Sequence, residues 1–129
     1  LVSSSAASDV YKRQGIMDVD LYDYESLFDT KFLMDKGKRL EYGDSLMTHA
    51  MLFTGVDIFK GKSTKWRVEN SWGTKGGDKG YYQMSDKWFD EFNYEVVVDK
   101  KYLPKRILEI FDREPVALEP WDPMGSLAK

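Results

Sequence analysis

The sequence predicts an α+β fold in which an antiparallel sheet carries short peripheral helices. Three observations lead there. Residues 46–58 and 64–72 are two β-patterned runs flanking the turn Lys60-Gly61-Lys62-Ser63, the arrangement of a hairpin. Two further runs rich in β-formers follow at 80–84 and 94–98. Helix signals are confined to short stretches: Ser85 is placed as an N-cap, and Pro104 as a first-turn residue.

Composition bounds the rest. A chain of 129 residues with 42% hydrophobic and 15% aromatic side chains is long enough for one domain with one core. A net charge of −3 with scattered lysines and arginines gives no nucleic-acid footprint. No apolar run approaches the ~18 residues of a membrane span. Cysteine is absent, so there is no disulfide framework and no thiol nucleophile within the chain. That fits a reducing, cytoplasmic setting. One histidine and no cysteine speak against a structural zinc site, and no metal or cofactor site is expected.

Residues 1–14, LVSSSAASDVYKRQ, lack the apolar core of a secretory signal. They read either as a disordered natural N-terminus or as translated linker sequence. The second reading, an unstructured and non-native leader, is preferred, and the fold is expected to begin at Gly15. Residues 15–30 read as a loop leading into a short helical turn, and 32–41 as a modest helix weakened by Gly37. Tyr42-Gly43-Asp44-Ser45 ends it. The run 46–58 places Met47, His49, Met51 and Phe53 on one face. Its other face is also mostly apolar or small, so the strand is expected to be covered on both sides. Gly55 marks a bulge or a close backbone approach.

In the second arm of the hairpin Trp66, Val68, Asn70 and Trp72 share one face, while Lys65, Arg67, Glu69 and Ser71 share the other. Asn70 is the anomaly, a primary amide on the apolar side beside two indoles. A buried amide is costly unless hydrogen-bonded. His49, the only histidine, is the natural partner.

Beyond the sheet, 86–92 reads as a short helix and 104–112 as another, with Ile107, Leu108 and Phe111 as its apolar side. The end, 115–129, holds three prolines and reads as an extended arm, although Leu118 and Trp121 call for burial. The glycine-rich turn 73–80 lacks the Gly-Lys-Ser/Thr ending of a phosphate loop and leads into a strand, so phosphate binding is not read from it. No Gly-x-Ser-x-Gly elbow is present.

The sequence 45–51, SLMTHAM, followed by 66–73, WRVENSWG, and by Gly80-Tyr81, resembles the C-terminal half of papain-like cysteine peptidases. It is most similar to the bleomycin hydrolase and aminopeptidase C family of that group (type C1B). LYDYE at 21–25, YEVVVD at 94–99 and WDPMGSLA at 121–128 are similar to that family's own segments. The resemblance covers about residues 15–129. It implies a papain-like fold, with this chain supplying the barrel-like C-terminal half. It also implies a Cys-His-Asn mechanism in which an upstream thiolate attacks the peptide and His49 protonates the leaving amine. Asn70 then orients the imidazole, and Trp72 shields that hydrogen bond from water. The family's cysteine and the glutamine that supplies an oxyanion donor are both missing, so the chain is expected to be an inactive C-terminal fragment of a longer cysteine aminopeptidase.

The resemblance further implies peptide substrates, a missing N-terminal half as partner, and a homo-hexamer for the whole enzyme. Residues 15–114 are the expected peptidase part, and 115–129 an arm directed to the active-site cleft with Ala128 or Lys129 nearest His49. The competing reading is a catalytically dead β-domain used for binding or assembly, and the complete gene separates the two. A secreted papain-like endopeptidase fragment fits less well, given the absent cysteines and the family-like ending.

Overall fold

A computed structural model of the chain describes residues 14–122. They divide into two compact units, 14–36 with 48–93 and 37–47 with 94–122.

The first unit holds a four-stranded sheet. Its strands are β1 (Ile16–Met17), β2 (Leu52–Phe59), β3 (Lys62–Glu69) and β4 (Tyr81–Ser85), in the order β1-β4-β3-β2. The β2–β3 hairpin turns through Lys60 and Gly61, both at positive φ (50° and 77°). That handedness matches the twist of the flanking strands, and glycine meets it without strain. The register slips between Phe53 and Gly55, which is the bulge expected there, and again between Asp57 and Ile58. β4 runs antiparallel to β3 and pairs Tyr82 with Val68 and Met84 with Trp66.

Two features of the sheet differ from the sequence-based expectation. β1 pairs parallel with β4, so the sheet is mixed, not wholly antiparallel. Among the described residues it is also open, not closed into a barrel, because β2 ends the strand order. Parallel neighbours need a long crossover. Here the whole hairpin lies between β1 and β4 in the chain, so the two-residue β1 is free to dock alongside β4. The Gly15 carbonyl accepts the Gln83 N–H at 2.7 Å as it does so.

β2 also starts later than expected. Residues 46–51 have strand-like composition, but the ladder begins at Leu52, which pairs with Glu69. β3 ends at Glu69, so no partner backbone remains opposite the earlier residues. Nor is β2 covered on both sides: Leu52, Ile58 and Phe59 are all more than half exposed.

The described residues carry four short helices: α1 (Tyr24–Phe28), α2 (Lys36–Glu41), α3 (Asp86–Phe92) and α4 (Lys105–Leu108). Asp23 caps α1 by accepting the Ser26 N–H at 3.1 Å. Ser85 caps α3 by accepting the Trp88 N–H at 3.2 Å, the role its sequence position predicts. At the other end of α3 the Lys36 ammonium donates to the carbonyls of Asp90 (2.7 Å) and Asn93 (2.6 Å). A cation there offsets the helix dipole and takes up orphan carbonyls.

The core is small and lies on one face of the sheet. Met17, Val68, Tyr82 and Met84 are buried, and Met51, Phe53, Trp66, Trp88 and Phe89 pack around them half-buried. Trp66 stacks on Phe89 with centroids 4.6 Å apart, and Phe53 meets the edge of Trp66 at 5.5 Å. The Trp66 indole N–H donates to the Asp86 carboxylate at 2.9 Å. One bond thus satisfies the polar end of a large aromatic and ties β3 to the first turn of α3.

In the second unit, residues 94–98 form no strand despite their β-rich composition, and Val97 is 94% exposed. Strand propensity is expressed only against a pairing neighbour, and no strand pairs with this segment among the described residues. The hydroxyls of Ser45 and Tyr94 are hydrogen-bonded to each other. Asp99 caps a 3₁₀ turn, Lys100–Tyr102, by accepting the Lys101 N–H at 3.0 Å. α4 is shorter than the expected 104–112, ending at Leu108 in successive i→i+3 turns. Residues 115–122 carry no helix or strand, and Trp121 is 79% exposed instead of packed.

Candidate active site

Three sequence-predicted residues come together at one end of the hairpin. His49 lies in the segment that leads into β2, Asn70 directly follows β3, and Trp72 lies two residues beyond. Hairpin pairing places the start of β2 beside the end of β3, so residues 21 positions apart in sequence become neighbours.

The His49 Nε2 and the Asn70 Oδ1 are 2.9 Å apart. An amide oxygen can only accept, so the bond requires Nε2 to carry the proton and donate it. That leaves Nδ1 as the basic nitrogen of the neutral ring. His49 is not engaged in another hydrogen bond among the described residues. The Trp72 indole stacks on the imidazole, with centroids 4.8 Å apart and planes 29° from parallel.

Burial separates the roles of the three. Asn70 is only 6% exposed, the one buried polar side chain among the described residues, whereas His49 is exposed and Trp72 is 48% exposed. The amide is therefore the fixed element and the imidazole the accessible one. Such an arrangement presents a ring whose tautomer and tilt are preset, with one nitrogen available to exchange a proton.

The glycine-rich turn contributes a contact that sequence reading did not assign. The Asn70 backbone N–H donates to the Gly80 carbonyl at 3.0 Å, and Gly80 is buried. Its signal was present in the sequence, as a glycine immediately before the β4 run, but nothing in the pattern shows which backbone group it meets.

Ala128 and Lys129, the expected tip of the C-terminal arm, lie outside the described residues. No cluster of three His, Asp or Glu side chains is placed to hold a metal among the described residues. Among the same residues no helix is long and apolar enough to cross a membrane. A shallow groove lined by Asp57, Lys65, Arg67 and Tyr81 lies on the charged face of the sheet and includes neither His49 nor Asn70. Arg67 there lies over the Tyr81 ring at 3.8 Å.

Comparison with known proteins places this geometry in context. Aminopeptidase C of Listeria monocytogenes is 53% identical over 117 residues, covering 91% of this chain and 26% of its own length. Human bleomycin hydrolase is 52% identical over 119 residues, covering 89% of this chain and 26% of its own. The crystal structure of pepw from Lactobacillus rhamnosis superposes with a TM-score of 0.81 at 54% identity, covering 88% of this chain and 26% of that one. The chain thus spans about a quarter of the length of the relatives it matches. The family model described as the peptidase C1-like family matches residues 2–125. With nearly its whole length matched and half its residues shared with aminopeptidase C and bleomycin hydrolase, the chain belongs to the peptidase C1-like family.

Proposed function

We propose that this chain supplies the histidine and its orienting amide to a cysteine aminopeptidase of the bleomycin hydrolase type, and that a cysteine outside these 129 residues supplies the nucleophile. The observation that carries the reading is the 2.9 Å contact between an exposed imidazole and a buried amide, under an indole. Relatives named aminopeptidase C and bleomycin hydrolase support the choice of reaction.

In this mechanism Nδ1 of His49 takes the thiol proton, giving a thiolate–imidazolium pair. The thiolate sulfur attacks the peptide carbonyl carbon, and the carbonyl π pair moves to oxygen. Collapse of that intermediate expels the amine, which receives the proton from Nδ1, and leaves a thioester. His49 then removes a proton from water as the water attacks the thioester carbonyl, and the acid and free thiol are released. Asn70 accepts from Nε2 throughout, which holds the ring in plane and stabilises its cationic form. The stacked Trp72 keeps water from competing for that bond. No side chain of this chain replaces the thiol, because it has no cysteine.

The substrates in this reading are peptides attacked from the N-terminus. Residues 115–129 form the arm, whose terminal carboxylate pairs with the substrate's α-amino group, and the whole enzyme is a cytoplasmic homo-hexamer. The test is a chimera in which residues 15–129 replace the matching quarter of the Listeria monocytogenes aminopeptidase C. The chimera should hydrolyse aminoacyl fluorogenic substrates, and His49→Ala should lower its rate by about 10²–10⁴, the usual contribution of a general acid–base. The 129-residue chain alone should give only background. Full activity in the His49→Ala chimera would refute the assignment.

A further inference from the structure

We propose that Gly80 is a positioning residue for the His49 imidazole, acting through the four-residue segment 70–73. The proposal rests on the reading of His49 and Asn70 given above. That segment carries both side chains that touch the imidazole, Asn70 by its hydrogen bond and Trp72 by its stacked ring.

Gly80 meets the segment at both ends. At one end its carbonyl accepts the Asn70 N–H at 3.0 Å. At the other its Cα faces the Gly73 carbonyl so closely that a Cβ on residue 80 would lie 2.8 Å from that oxygen and 3.8 Å from the Thr74 Cα. Gly80 also has φ +94°, a left-handed conformation that side-chain-bearing residues rarely adopt. Its own N–H donates to Gly76 at 2.9 Å, so the residue is tied into the turn and cannot swing away freely.

The direction in which the structure yields follows from the neighbours. The atom a Cβ would strike is a backbone oxygen, not the end of a flexible side chain. Gly73, which owns that oxygen, has nothing within 4 Å of its own Cβ position. Gly73 also opens a 3₁₀ turn, Gly73–Lys75, whose N-cap is Trp72, so a displacement of its carbonyl passes along the chain to Trp72. The strained φ at residue 80 simultaneously tilts the carbonyl that anchors Asn70. One methyl group at position 80 thus disturbs both contacts on His49 while touching neither the imidazole nor a substrate.

His49 is the only histidine, so its ring resonances report the geometry without ambiguity. The experiment is NMR of the 129-residue chain and of Gly80→Ala, Gly61→Ala and Asn70→Ala. In the parent chain the Trp72 ring should shift the His49 Cε1–H and Cδ2–H signals upfield, and the Asn70 bond should slow exchange of Nε2–H. Gly80→Ala should lose at least half of the upfield displacement and exchange Nε2–H about tenfold faster, the scale of one weakened hydrogen bond. Gly61 shares the positive φ (+77°) but has open space around it, so Gly61→Ala controls for a general loss of stability and should leave His49 unchanged.

Parent-like His49 signals in folded Gly80→Ala would overturn the proposal. If Gly80→Ala does not fold, hydrogen exchange of the parent chain decides. An Asn70 N–H protected as strongly as that of Val68 supports the clamp, and an unprotected one overturns it. Asn70→Ala separates the two readings. If it leaves the His49 ring unchanged, the catalytic pairing itself fails. If it moves the ring and Gly80→Ala does not, only the role of Gly80 fails.

Discussion

The His49 imidazole donates from Nε2 to the Oδ1 of a buried Asn70, and the Trp72 indole stacks on the imidazole. The bond sets which ring nitrogen is left to work. In the chimera described above, Asn70→Ala should reduce hydrolysis about ten- to a hundredfold, since one hydrogen bond to a cation contributes about 1.5–3 kcal/mol. The loss should fall on kcat more than on KM, because the bond strengthens as the imidazole becomes charged. A change in KM alone would mean that the amide serves substrate binding instead.

The sheet that carries the site depends on a small core centred on Val68, which is fully buried. Val68→Ala removes two methyl groups where Tyr82 pairs across the strands. It should lower the stability of the chain by about 2–3 kcal/mol, the transfer loss plus a residual cavity. Urea unfolding measures this, and a loss below about 1 kcal/mol would show that the site collapses around the smaller side chain.

Ser85 gives a smaller and more local effect. Its hydroxyl accepts the Trp88 N–H and starts α3, which carries the aromatic that stacks on Trp66. Ser85→Ala should cost about 1 kcal/mol, while Ser85→Asp, an equally good cap, should be near neutral. Equal losses in the two variants would mean that the hydroxyl is not acting as a cap.

These elements also show how far the sequence could be read. The hairpin, the bulge at Gly55, the Ser85 cap and the meeting of His49 with Asn70 were legible because alternation, a glycine and a lone amide on an apolar face are local signals. The limits of β2 were not. Residues 46–51 look like strand, yet the ladder begins only at Leu52, opposite Glu69, the last residue of β3. Tyr94 to Val98 misled for the same reason, since propensity cannot reveal a missing partner. The parallel pairing of β1 rests on two residues, too few to leave a period in the sequence.

Acid should act on the first helix through its Asp23 cap. The Ser26 side chain and N–H, both bonding to Asp23, hold the Asp23 carboxyl below its usual 3.8. A carboxylate whose folded pKa is lowered stabilises the fold fully above its unfolded value, and that contribution is lost as pH falls through the lower, folded value. The Ser26 amide resonance should therefore titrate with a midpoint below 3.8, and Asp23→Asn should abolish that step. A midpoint at or above the usual carboxylate value would show that the cap does not form in solution.

Whether His49 ion-pairs with a thiolate brought to it by the rest of a peptidase is read from the pH dependence of thiol alkylation in the chimera. An unperturbed cysteine reaches half its maximal alkylation rate near pH ~8.5, and a histidine-paired one several units lower. With His49 present the half-maximal rate should lie well on the acid side of neutrality, and in His49→Ala it should return toward ~8.5. A profile that His49→Ala leaves unmoved would contradict the ion pair.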